Sequence, residues 1–443
     1  MERPLSDMER AFWLLDRGTS FNGVQVVTLR GPIDDQLLKV ALKRLQQRHP
    51  LLRVRVVGDD KNPSFTDEDA GPIPLWVVRR QSDTHWQKLV ETELNHRFAP
   101  SADSLTRCVL VLGPVRSELI FAHHHVTADA LSLVFAVRDL LTDMAQLAQG
   151  QAASTVESLP LRPPLSRLLP ASARGLSRFR HMTAFFNKHI LLRPLRRARK
   201  LPLENAVPPR ERSNRILHRS LNPEQTHRLA ELAKQEGTTV HAALCSALLL
   251  SVAATAYQEE VAQEKRTTVG CFSAVSLRQQ LEPSVGEEMG LYISQVTTFH
   301  QVVPMPSLWQ LAREVKEQLS KTLDSGEQYL TMPLIGMFIP PGRDPGPRFI
   351  RTFDGGSPAA IGVTNIARLP IPSDYGALQI ENYQIAVGLS VVGQLLGAVT
   401  TFAGTLNLNL IYVEPLVSTA RATQILDGAM RHLDQALAAQ QAA

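Results

Sequence analysis

His123, His124 and His125 stand in a row, and Asp129 follows in His-Val-Thr-Ala-Asp-Ala, so that from His124 the run spells H-H-x-x-x-D-A. Histidine is the side chain whose unperturbed pKa lies nearest neutrality, which makes it the usual general base for taking a proton from a hydroxyl or an amine. An aspartate four residues on can fix the local fold without touching the chemistry. Two blander readings compete. One is a cluster of satisfied structural imidazoles. The other is a metal site, because strand alternation puts His123 and His125 on one face and His124 on the other, and imidazole suits zinc. No C-x-x-C or H-E-x-x-H pattern accompanies the run, so no metal is expected.

The flanking residues say what must hold the histidines. Glu118 to Ala122 is a short apolar run with strand propensity. After Asp129, Leu131, Val134, Val137, Leu141 and Met144 recur at helical spacing. The histidines therefore sit where a strand ends and a turn leads into a helix. Imidazoles loaded onto a strand end need hydrogen-bond partners or a wet cavity.

The rest of the chain reads as alternating elements in two parts. The first, residues 1–149, predicts helices near 6–16, 34–48, 83–95 and 130–148 and strands near 23–30, 51–57, 106–113 and 117–125. Residues 150–213 read as a connection holding an amphipathic helix, with Leu176, Phe179, Met182, Phe185, Phe186 and Ile190 between the basic residues of 174–200. The second part, 214–443, starts with a strand to 221. Asn222-Pro223 is a good helix start, with an N-cap and a proline at the first helical position. Helices near 239–258, 307–322 and 417–439 are expected, with strands near 267–276, 290–300, 359–365, 376–389, 394–402 and 404–413. The Pro/Gly-rich stretch 324–357 reads as loop. Periodicity alone thus gives an α/β chain in two domains.

Composition narrows the class. In 443 residues, 44% are hydrophobic, enough for large buried cores and too many for a disordered chain. The three cysteines, Cys108, Cys245 and Cys271, have unrelated spacings and sit in apolar runs. Buried packing in a reducing cytoplasm is the expectation, with no disulfide framework. The N-terminus opens on Ser6-x-x-Glu9, a capping box, and not on a signal peptide. No apolar run reaches the roughly 20 residues of a membrane span. The net charge of +5 is local: residues 161–215 hold 14 Lys and Arg against Glu204 and Glu211. A basic segment of that kind suits an anionic membrane surface over 174–200, an acidic carrier protein or the phosphates of coenzyme A, or a merely solvated face. Nucleic acid is not expected, because the rest of the chain is acidic.

The motif residues resemble the H-H-x-x-x-D-G signature of the chloramphenicol-acetyltransferase-like superfamily. That group includes nonribosomal peptide condensation domains, plant BAHD acyltransferases, wax ester synthases and polyketide-associated acyltransferases of the phthiocerol dimycocerosyl transferase type. The similarity continues in order along the chain. Arg48-His49-Pro50-Leu51-Leu52-Arg53 looks like the exit from the family's first long helix. Ser276-Leu277-Arg278 looks like its "VDLR" strand end, Val363-Thr364-Asn365 like its "SNxG" segment, and Thr400 to Tyr412 like a late strand. Polyketide-associated O-acyltransferases look nearest, and the plant "DFGWG" motif is absent.

The resemblance implies two chloramphenicol-acetyltransferase-like lobes, each a mixed sheet flanked by helices, with an active-site tunnel between them. It makes His125 the general base for attack of an acceptor alcohol or amine on an acyl-CoA or acyl-phosphopantetheinyl carrier thioester. No bound cofactor and no covalent acyl-enzyme are implied. Asp129 becomes a structural aspartate bridged, in bidentate fashion, to Arg278; His124 shapes the turn. Ala130 stands where the family has Gly; it keeps the backbone N–H and adds a methyl, which implies a slightly altered thioester position and not inactivation. Asn365 is expected to help orient donor or acceptor. Ester formation is the leading expectation. An amide-forming condensation enzyme and a non-catalytic protein that kept the fold are the alternatives.

Overall fold

The computed structural model describes residues 2–151, 155–186, 198–330, 334–342, 344–354, 357, 359–389 and 391–438. Two six-stranded mixed sheets dominate it. The first runs, edge to edge, Asp374–Tyr375, Leu378–Val387, Asn22–Arg30, Arg116–His124, Thr106–Leu112 and Leu75–Arg79. The second runs Ile293–Val303, Thr267–Ser276, Ala359–Arg368, Leu395–Phe402, Thr405–Glu414 and Ser213–Leu221. Helices flank each sheet, and each sheet builds its own core. Leu38, Leu42, Leu45, Val134, Val137 and Leu141 serve the first, and Leu244, Leu248, Val252, Leu311, Ile425 and Leu433 the second. Burying one such side chain fully contributes about 1.5–3 kcal/mol, so these helical stripes hold the layers together.

The helix Ala130–Ala148 follows the histidine strand as the periodicity predicts. Asp129 is its N-cap, in extended backbone, and accepts a hydrogen bond from the Ser132 N–H. That cap ends the strand's turn and starts the helix at one fixed place. At the N-terminus, Ser6 and Glu9 form the expected capping box.

Several elements depart from the sequence reading. Pro50–Leu52 is a short 3-10 turn, and only Arg55–Val57 is strand. Pro50 has its φ fixed and no N–H to give to a ladder, which explains the turn. The strand Leu75–Arg79 is absent from the periodicity reading; it is an edge strand, parallel to Thr106–Leu112. The stretch 324–357 includes a helix, Gly346–Phe353, whose Phe349 is buried with Met8, Phe12, Leu15, Phe21 and Tyr292. Of the basic segment, Gly175–Phe186 is helical, and 187–197 lie outside the described residues. That leaves the anionic-surface expectation for 174–200 without a complete face to rest on.

The larger departure is topological. The strand Leu378–Val387 belongs by sequence to the second part but pairs antiparallel with Asn22–Arg30, from Gln379↔Arg30 to Val387↔Gly23. The boundaries at 149 and 213 therefore divide the chain without dividing the sheets. Alternation reports which face of a strand is buried and nothing about its partner, so the crossover is invisible to periodicity. No single helix among the described residues is long and apolar enough to cross a membrane.

Candidate active site

Strand Arg116–His124 lies between Asn22–Arg30 and Thr106–Leu112, with His123 opposite Gly23 and Thr106, and His124 opposite Asn22. The three imidazoles have different surroundings. His124 is fully buried between Trp13 and Phe98, and its Nδ1 accepts from the Val126 N–H. Its own carbonyl accepts from the Thr127 N–H and hydroxyl, so it shapes the turn. Burial pushes its pKa down to about 4. His123, on the opposite face, donates from Nε2 to the Ala128 carbonyl at 3.2 Å, and burial pushes it down to about 3.

His125 sits just past the strand end, half-buried, with its edge toward Phe12 and Phe21. Its Nδ1 is 2.9 Å from the same Ala128 carbonyl. A carbonyl only accepts, so Nδ1 carries the proton and the neutral ring keeps its lone pair on Nε2. Burial lowers the His125 pKa, partly offset by that carbonyl and by the charge of Asp129. One backbone oxygen thus sets the tautomer of two imidazoles.

Asp129 is turned away from this group. Its Oδ1 accepts from the Ser132 N–H and hydroxyl, both at 2.8 Å, and from Arg278 Nη2 at 2.9 Å; its Oδ2 accepts from the Tyr292 N–H at 3.1 Å. Arg278, 4% exposed, joins the two halves here, but not through the expected bidentate fork. Only Nη2 reaches the carboxylate, because Nη1 donates to the carbonyls of Gly286 and Glu288. Burial pushes the Asp129 carboxyl up, and the Arg278 charge with the Ser132 donors more than offsets it, leaving it below the usual range. A second tie, legible only in the structure, is the two-pronged pair of Arg138 with Glu287 at 2.6 and 2.7 Å.

A cavity of about 140 Å³ lies against His125 and is walled by both sheets. Its surface is mostly apolar, with Phe12, Phe21, Phe272, Ile293, Ile385 and Leu396 among the lining residues. The crossover strand supplies Ile385 to Val387, which is why the sequence division misses part of the wall. Ala130 lines the cavity too, and its carbonyl accepts from Gln25 Nε2 at 2.7 Å. Gln25 is in turn held by the Tyr383 hydroxyl, which donates to Oε1. Gly23 is needed at its position: a Cβ there would stand 2.2 Å from Cε1 of His123.

Asn365 is not among the cavity's lining residues, whereas its neighbour Thr364 is. The Asn365 amide oxygen instead accepts from the Ala367 N–H at 2.7 Å, where Ala367 has a φ of 59°. Strand alternation explains the placement, since the residue before it takes the cavity face. Gln25, Tyr383 and Gly23 carry no sequence motif, and only the strand register shows them. The three cysteines are buried thiols. Among the described residues no group of three or more His, Cys, Asp or Glu is arranged to hold a metal ion.

Comparison with known proteins agrees with this architecture. Residues 211–419 match the family model described as phthiocerol/phthiodiolone dimycocerosyl transferase C-terminus. Tyrocidine synthase 2 of Brevibacillus parabrevis is 30% identical over 156 residues, 33% of this chain and 4% of that synthase. A dimodular nonribosomal peptide synthase of Bacillus subtilis is 31% identical over 162 residues, 34% of this chain and 6% of its own length. The chain thus spans only a small part of the curated relatives it matches. Among solved structures, polyketide synthase associated protein 5 from Mycobacterium tuberculosis superposes with a TM-score of 0.68 at 18% identity, over 99% of this chain and 98% of that one. The trichothecene 15-O-acetyltransferase of Fusarium sporotrichioides gives 0.71 at 13% identity, over 98% and 95%. With its two helix-flanked sheets meeting at one cavity, the chain shares the fold of these two structures over nearly its whole length.

Proposed function

We propose that this protein is an acyltransferase that moves an acyl group from a coenzyme A or carrier-protein thioester to an acceptor hydroxyl, with His125 as general base. The observation that carries the reading is the Ala128 carbonyl at 2.9 Å from His125 Nδ1, which leaves the Nε2 lone pair available beside an apolar cavity. In the reaction, the acceptor oxygen attacks the thioester carbonyl carbon while Nε2 takes its proton. The C–S bond then breaks, and the departing thiolate takes that proton from the imidazolium, giving an ester and a free thiol. His125 ends as it began, so one neutral imidazole serves both half-steps. Its lowered pKa keeps it in the basic form at neutral pH. Asp129 and Arg278 act on the turn that carries His125 and do not touch the reacting atoms.

The amide-forming alternative draws on the partial matches to peptide synthases. The same nitrogen would then deprotonate an amine. One assay separates these readings from each other and from a non-catalytic scaffold. Intact-mass detection follows a panel of acyl-CoA and acyl-carrier donors with matched alcohol and amine acceptors. The expected result is ester product from the wild-type protein and none from His125→Ala, with the variant still folded by circular dichroism. Transfer to amines alone favours condensation chemistry. Equal transfer by His125→Ala removes the general-base assignment.

A further inference from the structure

Gln25 lies in the strand Asn22–Arg30 and lines the cavity, but both ends of its carboxamide are bonded within the protein. Nε2 donates to the Ala130 carbonyl at 2.7 Å, and Oε1 accepts from the Tyr383 hydroxyl. The amide cannot stand the other way round, because a carbonyl only accepts. Burial pushes the Tyr383 hydroxyl up, so it keeps the proton that this arrangement needs. Strand register makes the reach possible. Gln25 pairs with Ile385, and Tyr383 stands two residues along on the same face of the crossover strand. Tyr383 is itself fixed from the second sheet, where the Thr400 hydroxyl donates to its carbonyl at 2.6 Å.

The Ala130 carbonyl does not need Gln25 to be satisfied. Ala130 opens the helix Ala130–Ala148, so its C=O also has the N–H four residues on. The extra bond therefore serves position. Ala130 stands two residues past Ala128, whose carbonyl sets the His125 tautomer. Asp129, between them, is tied to the second half of the chain. Its N–H donates to the Gly290 carbonyl at 2.9 Å, and its carboxylate accepts from Arg278 and from the Tyr292 N–H. Those ties alone would let this end of the turn follow the second half, whereas His125 extends a strand of the first sheet. Two bonds from the first sheet oppose that drift. One is the 3.2 Å bond from His123 to the Ala128 carbonyl, and the shorter is the bond from Gln25 to Ala130.

We infer that Gln25 is a positioning residue for the transfer. Its carboxamide, oriented by Tyr383, holds the Ala130 end of the turn against the first sheet, so that the Ala128 carbonyl stays on His125 Nδ1 and Nε2 stays the basic nitrogen beside the cavity. The inference rests on the general-base reading of His125 for its effect on rate, but not for its effect on the imidazole. A small misplacement of a catalytic group is costly, so loss of the tie should lower kcat roughly ten- to a hundredfold and leave KM within about threefold.

The experiment uses the full chain, Gln25→Met, and the double variant Gln25→Met/Tyr383→Phe. Methionine keeps the length of the side chain on the cavity wall and removes the donor. The single variant strands the buried Tyr383 hydroxyl and should lose stability. The double variant removes both polar partners and should recover a urea midpoint near that of wild type. Separate kcat and KM values, corrected for folded fraction, are measured with the donor and acceptor that the intact-mass panel finds active. The expected result is a low kcat in both variants, with the double variant stable and KM little changed. A purely structural role predicts that kcat recovers with stability, so a double variant whose kcat lies within about threefold of wild type overturns the inference. If wild type consumes no thioester from the whole panel, the acyl-transfer reading fails separately. The imidazole then decides, through nitrogen NMR of ¹⁵N-histidine-labelled protein, with the His125 signals assigned by their loss in His125→Ala. Wild type should show His125 as the Nδ1–H tautomer alone, and the double variant a mixture of both tautomers. The same single tautomer in both proteins overturns the inference.

Discussion

The two sheets hold similar side chains and use them in opposite ways. In the first, His123 and His125 share a donor–acceptor point, Ala128 O, at the cavity. In the second, His241 Nε2 lies 2.9 Å from Ser273 Oγ and 3.5 Å from Cys245 Sγ, a grouping that on paper looks as reactive as the first. Strand parity separates them. On Thr267–Ser276, Phe272 and Ala274 face the cavity, so Cys271 and Ser273 face the helix Val240–Ala256 that carries His241 and Cys245. The Cys271 thiol is pushed up by its contact with Cys245 and by burial, the reverse of what a nucleophile needs. A one-residue slip would exchange the two faces, and register alone makes one cluster a candidate for catalysis and the other a piece of core.

The largest expected effect is at the tie between the halves. Arg278→Ala leaves Asp129 as an unpaired buried carboxylate and strips donors from the Gly286 and Glu288 carbonyls. Removing one member of a buried pair costs about 3–5 kcal/mol, so the urea midpoint should fall sharply and acyl transfer with it. A variant with unchanged midpoint would mean that the bridge contributes nothing to holding the turn, and the contrast between the clusters would lose its structural basis.

Protonation gives the next effect, and it belongs mainly to the first sheet. Burial holds His123 at about 3 and His124 at about 4, while the unfolded chain titrates near 6.5. Below about pH 6.5 the unfolded state takes up protons that the folded state refuses. This stabilising contribution is complete above that pH and lost as pH falls toward 4 and then 3. Each histidine contributes up to about 1.4 kcal/mol per pH unit within its window. His218 and His432, also lowered by burial, act in the same direction. His241 opposes them, since its contact with Cys245 outweighs burial and raises it. Asp129 and Asp139, both held below the usual carboxylate range, do not enter until about pH 4. Urea midpoints at pH 7, 6 and 5 should therefore decline steadily. A flat series would show that the imidazoles are hydrated and not buried as described.

Much of this is legible in the residues. The strand–turn–helix around the histidines, the cap at Asp129 and most helix bounds follow from apolar spacing and capping chemistry, which are local. Arg278 stands out through a resemblance, and the structure places it against Asp129, though with one nitrogen instead of two. What periodicity misses is non-local. Nothing in Leu378–Val387 says that it pairs with Asn22–Arg30, so Ile385 and Val387 come to the cavity wall unannounced. Asn365 stands out by motif, and a parity of one residue takes it off that wall. Gln25 is a single polar residue in a strand, and its role appears only when its partners, the Ala130 carbonyl and the Tyr383 hydroxyl, are seen.

The smallest effect is the sharpest test of the comparison. His241→Ala removes the neighbour of Ser273 Oγ and Cys245 Sγ, both buried in the second core. The cost is one modest hydrogen bond and one unpaired hydroxyl, about 1–2 kcal/mol of stability. His241 does not line the cavity, so kcat/KM per folded molecule should stay within about threefold of wild type. Stability from urea titration and activity corrected for folded fraction check the two halves of that expectation. A tenfold loss of activity at unchanged stability would break the comparison, because it would couple the second cluster to the reaction through the strand it shares with Phe272 and Ala274. If instead stability falls and activity holds, the face of the strand, and not the identity of the side chains, is what separates the two clusters.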